Sequence, residues 1–294
     1  MRQKDVGQIS PFFIKSSLAR RNLQKFFSNR LALTGMTVVL LFVLGAVFAP
    51  LLTKYSPSYV DMTIRYQPLS AKHWLGTDSL GRDILTRLLY GGRVSLFVGI
   101  VSAFGASMIG ITLGSLAGYF GGKVDSLILY ISEIFMAFPS IMLVIILVGY
   151  TGRGLSNLIV IFAITGWTGG MRIVRGKIFS LREEAFVESC KANGIKSSSI
   201  MFRHLLPNTL GPVIVDFTLL TGGYVLQEAA LSFLGLGVDP SIPTWGNMIN
   251  AARSLQIIQN HVNLWLAPGI TICLFTLAIN FFGDGLRDVF DPTQ

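Results

Sequence analysis

Residues 31–52 read LALTGMTVVLLFVLGAVFAPLL, an apolar run without a single charged residue. As an α-helix this run is about 33 Å long at ~1.5 Å per residue, enough to cross a hydrocarbon core about 30 Å thick. A cleavable signal peptide would have a shorter apolar core closer to the N-terminus, whereas this run follows a long basic tail. We therefore interpret it as a first transmembrane helix that is retained in the mature chain.

The composition of the whole chain also indicates a membrane protein. Its 294 residues are 51% hydrophobic and only 13% charged, which leaves too little polar surface for a soluble enzyme. The net charge of +9, in so apolar a chain, indicates cytoplasmic loops rather than nucleic-acid binding. The two cysteines, Cys190 and Cys273, fall on a predicted cytoplasmic loop and within a predicted span, so no extracellular disulfide is expected.

Five further apolar runs are long enough to cross a bilayer. The sequence therefore predicts an all-α membrane protein with six transmembrane helices. The additional spans cover residues 94–119, 127–150, 155–174, 209–231 and 264–282. The span at 155–174 is the weakest of these, because Gly166, Gly169 and Gly170 interrupt it.

Lys and Arg are distributed unequally between the two sides of the membrane. With the N-terminus inside, the basic tail, residues 172–203, Lys123 and Arg287 all fall on the inner side. Fewer basic residues fall outside, and most of these lie on the long segment 53–93, where the positive-inside rule is weak. We therefore predict that both termini are cytoplasmic.

The predicted spans divide the chain into regions. These are a cytoplasmic basic tail (1–30), a first transmembrane helix (31–52), an external segment (53–93), a five-helix core (94–282) containing a cytoplasmic loop (175–207), and a cytoplasmic C-terminal tail (283–294). Residues 12–30 mix Phe and Leu with Lys and Arg, as an amphipathic helix on anionic membrane lipid would. The alternative is a disordered basic tail that only fixes the topology.

Small residues recur every four positions in the second span, at Gly110, Gly114 and Gly118. This spacing places them on one face of a helix, where another helix can pack very closely. A moving gate is the alternative, since the glycines elsewhere in the chain are also compatible with helices that bend or slide.

The cytoplasmic loop 175–207 is too long for a minimal connection and predicts two short helices. Ser180 and Glu183 form a capping-box pattern for a first helix over 181–193, and Gly194 stands where a left-handed residue would end it. Residues 197–199 are suited to cap a second helix, which Pro207 should end with a change of direction. Composition and spacing alone also allow a hairpin that merely joins two spans.

The residue pattern of this loop resembles a known motif. Glu188-Ser-Cys, three residues, Gly194, nine residues and then His204-x-Leu206-Pro207 match in spacing the EAA loop of ATP-binding-cassette importer permeases. Ser189 and Cys190 replace the two alanines of that motif, and His204 replaces an isoleucine. The resemblance implies an ATPase-coupling surface formed by Glu184, Ala185, Glu188, Ser189, Cys190, Gly194, His204, Leu206 and Pro207.

Three other stretches narrow the resemblance. They read HWLGTDSLGRDI (73–84), EAALSFLGLG (228–237) followed by PTWGNM (243–248), and GDGLRD (283–288). Together they resemble the C-type permease subunit of dipeptide, oligopeptide and nickel importers. This resemblance implies a MetI-like helical permease half that pairs with a homologous B-type permease subunit, two cytoplasmic ATPase subunits and an external substrate-binding protein. Cargo selectivity in that family lies largely in the external binding protein.

The chain carries no recognisable nucleotide site or catalytic motif of its own. The nearest match to a P-loop, at residues 170–178, has one residue too many and Ile178 in place of Ser or Thr. The motifs of intramembrane proteases are missing, and His73, His204 and His261 lie in predicted loops. We therefore expect no enzyme activity, cofactor or metal. An ion channel or secondary transporter is the remaining alternative, although neither would need the cytoplasmic loop.

Ionisable residues inside the predicted spans are candidates for the translocation pathway. These are Glu133, Asp216 and Glu228, and Pro139 is expected to kink the span that carries Glu133. Each carboxylate has an alternative, structural role, in which it pairs with a cation of a partner subunit or caps a helix. The external segment mixes Asp61, Asp78 and Asp83 with arginines, which suits either contact with a binding protein or a solvated loop.

Overall fold

The computed structural model describes residues 24–251 and 253–290, so most of the predicted amphipathic tail and the end of the C-terminal tail lie outside the described residues. The described part is helical, with no β-strand beyond one bridge between Thr77 and Asp83, which confirms the predicted all-α class. The helices are α1 (Arg30–Val47), α2 (Ala49–Leu52), α3 (Ile84–Phe120), α4 (Gly122–Met136), α5 (Ser140–Thr151), α6 (Leu155–Thr165), α7 (Trp167–Leu181), α8 (Ala185–Ala192), α9 (Ser197–Ser199), α10 (Leu210–Phe233), α11 (Trp245–Ala251), α12 (Leu255–Asn260) and α13 (Val262–Phe290).

Five helical stretches are long and apolar enough to cross a membrane. They are Arg30–Val47, Ile84–Phe120, Leu155–Leu181, Ser197–Phe233 and Val262–Phe290. The predicted span at 127–150 is sharply bent, as expected from Pro139, because α4 and α5 meet there at an angle of 85°. Pro139 lies at the break with an extended backbone (ψ 127°), and its ring disfavours helical geometry at the preceding residue. Counting this bent pair as one span gives the predicted six.

Contacts at the two ends of α1 show which helix ends lie on the same side of the bundle. Near the start of α1, Asn29 Nδ2 donates to Asp288 Oδ2 of α13 at 3.1 Å. At the opposite end of α1, Arg93 Nε of α3 donates to the Ala46 carbonyl at 2.7 Å. The start of α1 and the end of α13 therefore lie on the same side of the helix bundle, as the predicted topology requires.

The second transmembrane helix is longer than predicted. It begins at Ile84 rather than at residue 94, because Asp83 caps it: Asp83 Oδ2 accepts from the backbone N–H of Thr86 at 2.8 Å. At ~1.5 Å per residue, its 37 residues extend for about 55 Å. This single helix therefore connects the segment that precedes it, residues 53–83, to the opposite side of the helix bundle.

The glycine stripe of α3 packs directly on α7, which confirms the close helix packing predicted from its spacing. A Cβ added at Gly114 would lie 2.6 Å from the Met171 carbonyl oxygen, and one at Gly118 would lie 2.8 Å from the Arg175 carbonyl oxygen. The two backbones are thus in contact, with no space for a side chain between them.

Two local predictions for the loop 175–207 are wrong. Ser180 does not cap a helix, because α7 continues through it to Leu181; the next helix starts at Ala185, and Glu183 instead pairs with Arg182 at 2.9 Å. Pro207 does not end the second helix, since the helical stretch Ser197–Phe233 passes through it.

A local widening of the helix explains why Pro207 is tolerated. The residues Ile200–Leu205 form a π-helical turn, in which the N–H of Leu206 donates to the Met201 carbonyl five residues earlier. Pro207 then falls in the first turn of a 3₁₀ segment, Leu206–Thr209, where a missing N–H removes no helical hydrogen bond. The helical path therefore runs without a break from the loop into the following transmembrane helix.

Candidate functional site

Residues 181–206, which we call the elbow, have a small apolar core of their own. Val187, Ile200 and Leu205 are buried against Val174 and Ile178 of α7, and the same cluster includes Ile111 of α3 and Val213 of α10. Buried contacts of this kind fix the elbow relative to three membrane helices. The elbow is therefore a packed unit rather than a loose connection.

Gly194 ends α8 in the way the sequence predicts. Its φ is +70°, in the left-handed region that favours glycine. The N–H of Ile195 donates to the Cys190 carbonyl at 3.1 Å, and the N–H of Gly194 donates to the Lys191 carbonyl at 3.0 Å. This pair of hydrogen bonds is a complete Schellman motif, which sets the direction in which the chain leaves the first elbow helix.

The elbow exposes charges of both signs as well as apolar side chains. Glu184, Ala185, Glu188 and Ser189 are all exposed, as expected for a coupling surface. The loop also exposes three large apolar side chains, Phe186 (42%), Ile195 (37%) and Phe202 (47%). Apolar side chains that protrude from a polar loop are typical of a protein docking surface.

Of the other residues in the predicted coupling set, three are half-buried and one is exposed at the end of the elbow. Cys190 and Leu206 are half-buried and pack against the apolar cluster of the elbow, so their contribution is to its rigidity. His204 is also half-buried, and its carbonyl accepts from Asn208 Nδ2 at 2.7 Å. Pro207 is exposed at the point where the elbow joins α10.

Two arginines connect α7 and the elbow to neighbouring helices, and no local pattern in the sequence predicts these contacts. Arg175 of α7 donates two hydrogen bonds to Asp125 of α4, at 2.5 and 2.6 Å. Arg182 Nη1 donates to the Gly118 carbonyl at the end of α3 at 3.2 Å, while its guanidinium lies 4.1 Å from the centre of the Phe179 ring. These partners are 50 or more residues apart in sequence, so no local pattern connects them.

Asp216 lies where the fifth predicted span borders a cavity of about 690 Å³. Lys177 of α7 and Arg287 of α13 line the same cavity. Within the described residues, the half-buried carboxylate of Asp216 makes no hydrogen bond or ion pair. A carboxylate left unpaired between membrane helices is costly, which favours a functional role for it.

Glu133 and Pro139 lie on the bent pair of helices. The Glu133 side chain is exposed near the end of α4, and Pro139 is exposed at the break. Glu133 does not line the cavity that contains Asp216. The structure therefore does not bring the two candidate pathway carboxylates together in one site.

Glu228 is fully buried, with 0% exposure. Ser95 Oγ of α3 donates to Glu228 Oε2 at 3.2 Å, and Ser232 Oγ of α10 donates to Oε1 at 2.8 Å. Ser95 Oγ in turn accepts from the N–H of Trp245 in α11 at 3.2 Å. This network of serine hydroxyls joins three helices, and it is a structural contact of a different kind from the helix cap or partner cation that the sequence suggested for Glu228.

Several charged residues of the segment 53–93 are buried rather than exposed. Asp83 Oδ1 lies 2.9 Å from His73 Nδ1, and both residues are buried. Asp78 pairs with Arg82 at 2.7 Å, and the buried Arg87 donates to the Pro57 carbonyl at 3.2 Å. These charges hold the segment together, so the expected mixed surface is smaller than the composition suggested.

A second polar cavity lies near the end of α10. Arg153 and Arg253 line a cavity of about 320 Å³ together with Asn247 and Asn250. The exposed Asp239 lies nearby in sequence, and the hydroxyl and N–H of Ser241 lower the pKa of its carboxyl. Asp239 is therefore held in its charged form on this side of the molecule.

Known proteins match the chain along most of its length. Residues 110–294 match the family described as the binding-protein-dependent transport system inner membrane component, and residues 17–68 match the N-terminal transmembrane domain of oligopeptide transport permease C. The chain is 45% identical over 273 residues to a dipeptide transport system permease protein of Alkalihalophilus pseudofirmus, covering 93% of this chain and 89% of that protein.

Two further relatives are similar over the same extent. An oligopeptide transport system permease protein of Bacillus subtilis is 37% identical over 276 residues, covering 94% of this chain and 90% of that protein. A glutathione transport system permease protein of Pectobacterium atrosepticum is 41% identical over 270 residues, covering 92% and 89% respectively. These matches include both the transmembrane helices and the elbow.

Proposed function

The chain belongs to the binding-protein-dependent transport system inner membrane component family, and from this premise we propose that its elbow transmits ATP-driven motion to its transmembrane helices. It is a permease subunit of an ABC importer and a multi-pass protein of the inner membrane. It is not itself an enzyme, because ATP hydrolysis in such importers belongs to separate subunits.

The observation that carries the proposal is the shared core of the elbow. The elbow buries Val187, Ile200 and Leu205 against α3, α7 and α10, while Phe186 and Glu188, on either side of Val187, are exposed. A force applied to the exposed face must therefore move the helices that share the buried core. In this scheme Glu188 is a polar anchor for the ATPase, and Gly194 sets the angle between the two elbow helices.

An importer of this family works with a partner permease, ATPase subunits and a substrate-binding protein. We propose that the partner permease is a homologous B-type subunit that forms a heterodimer with this chain, and that two ATPases bind from the cytoplasm. We place both termini and the elbow in the cytoplasm, which agrees with the concentration of Lys and Arg on that side. The basic tail 1–30 then faces anionic membrane lipid.

The substrate-binding protein approaches from the other side in this arrangement. The external segment 53–83 is held together by its own buried charges, so it forms a rigid platform. Arg153, Arg253 and Asp239 offer charges at the same end of the bundle. We assign the docking of the binding protein to this end.

We propose small peptides or peptide-like solutes as the cargo. The names of the relatives state dipeptide, oligopeptide and glutathione transport, and all three cargos carry an α-amino group and a carboxylate. Asp216 is the pathway residue that the geometry supports best, with Glu133 and Pro139 contributing at the bent pair of helices. Glu228 is given a structural role.

Reconstitution tests this function. Complexes containing this chain, its partner permease, the ATPases and the binding protein are placed in proteoliposomes, and uptake of a labelled dipeptide is measured with ATP or with a non-hydrolysable analogue. We expect uptake only with ATP and the binding protein. Uptake with the analogue would instead indicate a channel or a secondary transporter.

A further inference from the structure

The cavity beside Asp216 has charges of both signs on its wall. It lies at the elbow end of the bundle, between α7, α10 and α13, and has a volume of about 690 Å³. Lys177, Asp216 and Arg287 line it, and Ile214, Leu219 and Phe290 supply apolar wall. Its size is within the range of roughly 300–1,000 Å³ that is typical of small-molecule sites.

These three charged groups are not used by the fold. Within the described part of the chain, neither Lys177 nor Arg287 makes an ion pair or a hydrogen bond through its side chain, and the same holds for Asp216. Opposite charges that share a cavity without pairing leave both available to a ligand.

Gly170 of α7 contributes to this arrangement. A Cβ added at Gly170 would lie 2.9 Å from Asp216 Oδ2. The absence of a side chain at Gly170 therefore leaves the space that the carboxylate occupies. A methyl group at this position must displace the carboxylate.

We propose that this cavity binds a small zwitterionic peptide, with Asp216 accepting hydrogen bonds from the terminal ammonium group and with Lys177 and Arg287 donating to the terminal carboxylate. Apolar side chains of the peptide contact Ile214, Leu219 and Phe290. This proposal rests on the proposed function, because it gives the peptide cargo a defined exit site beside the elbow. Since Pro207 also borders the cavity, an occupant there adjoins the junction between elbow and membrane.

Blocked dipeptides test the proposal directly. The permease–ATPase complex is placed in lipid nanodiscs without binding protein or nucleotide, and equilibrium dialysis measures the binding of Ala-Phe, N-acetyl-Ala-Phe and Ala-Phe-amide. We expect the wild type to bind Ala-Phe at least about tenfold more tightly than either blocked form, since each block removes a charge-assisted hydrogen bond.

Substitutions then assign each end of the peptide. Asp216→Asn should abolish the preference for Ala-Phe over N-acetyl-Ala-Phe while retaining the preference over the amide. Lys177→Gln combined with Arg287→Gln should abolish the preference for Ala-Phe over Ala-Phe-amide while retaining the preference over N-acetyl-Ala-Phe. The matched controls are Asp284→Asn and Arg172→Gln, which alter exposed charges on α13 and α7 outside the cavity and should keep both preferences.

A second variant covers the case in which Asp216→Asn does not assemble. Gly170→Ala keeps the charge of Asp216 but displaces its carboxylate, so it should weaken Ala-Phe binding and leave N-acetyl-Ala-Phe binding unchanged. Equal wild-type affinity for the three peptides, or an unchanged preference in Asp216→Asn or Gly170→Ala, would overturn the proposal. ATP-dependent uptake by the same wild-type complex, reconstituted with its binding protein into proteoliposomes, separates this outcome from a failure of the importer assignment, which would abolish uptake itself.

Discussion

Arg175 Nη2 lies 2.6 Å from Asp125 Oδ2, and this contact joins the helix that leads into the elbow to the first half of the bent pair. Arg175 Nε donates to the other carboxylate oxygen, so the interaction has the bidentate geometry that only arginine provides. Asp125 follows the Gly121–Gly122 turn at the end of α3, and Arg182 binds the same end of α3. Movement of the elbow should therefore displace α3 and α4 together.

Arg175→Lys should lower the stability of the complex by about 1 kcal/mol, because lysine keeps the charge but cannot make both hydrogen bonds. Partial exposure of the pair limits the effect. Thermal unfolding of the complex in detergent measures this loss of stability. Arg172→Lys is the matched control, since Arg172 is exposed on the same helix and has no ion pair within the described chain. Equal melting temperatures for the two variants would show that the Asp125 contact contributes nothing.

Gly114→Ala should destabilise the protein by about 1–3 kcal/mol through overpacking. The added methyl group would lie 2.6 Å from the Met171 carbonyl oxygen, and backbone cannot rotate away as a flexible side chain can. Thermal unfolding of the assembled complex is again the measurement. Gly149→Ala serves as the control because nothing lies within 4 Å of its Cβ position. If both variants melt like the wild type, α3 and α7 are not in close contact.

Glu228→Gln should transport at the wild-type rate, because the amide can still bond to the hydroxyls of Ser95 and Ser232. Glu228→Leu should be destabilised, at about 1–3 kcal/mol for each buried hydroxyl left without a partner. Uptake assays and thermal unfolding are compared for the two variants. A stable Glu228→Gln complex with no uptake would return Glu228 to the translocation pathway.

The isolated chain should neither bind nor hydrolyse ATP, since the sequence lacks a loop that could cradle phosphate groups. Equilibrium binding of labelled ATP to the purified subunit checks this, with the assembled complex as the positive control. Micromolar affinity of the subunit alone would contradict the division of labour between permease and ATPase.

Features governed by local spacing could be predicted from the sequence. The stripe Gly110, Gly114 and Gly118 predicted its helix contact, because a four-residue repeat defines a face of a helix wherever that helix lies. Gly194 predicted its left-handed cap for a similar reason, since the hydrogen bonds of a Schellman motif are all local. Pro139 indicated a kink, although its magnitude of 85° depends on how the two halves pack.

Features that depend on partners distant in sequence could not be predicted from the sequence. The capping-box pattern of Ser180 and Glu183 was misleading, because packing of α7 against the α3 stripe extends α7 past Ser180. The meeting of Lys177, Asp216 and Arg287 in one cavity joins three helices from different parts of the chain. In the external segment, composition gave the charges but not the pairing of His73 with Asp83 that buries them.

Gly194 provides the most direct test of coupling through the elbow. Its Cβ position is open, so a substitution there acts only through the positive φ of +70° and not through a clash. Valine in this conformation carries a penalty on the order of 1–2 kcal/mol and should redirect the second elbow helix. Asparagine tolerates the left-handed region, so Gly194→Asn should retain function. Gly176→Val, at an open helical position on α7 without positive φ, controls for the side chain itself.

The decisive measurement is the ATPase rate of the reconstituted complex with and without substrate-loaded binding protein, taken together with uptake. For Gly194→Val we expect an inserted and assembled complex in which the binding protein no longer stimulates hydrolysis and uptake falls to background, whereas Gly194→Asn and Gly176→Val behave like the wild type. Wild-type stimulation and uptake in Gly194→Val would contradict the assignment of the elbow as the coupling element.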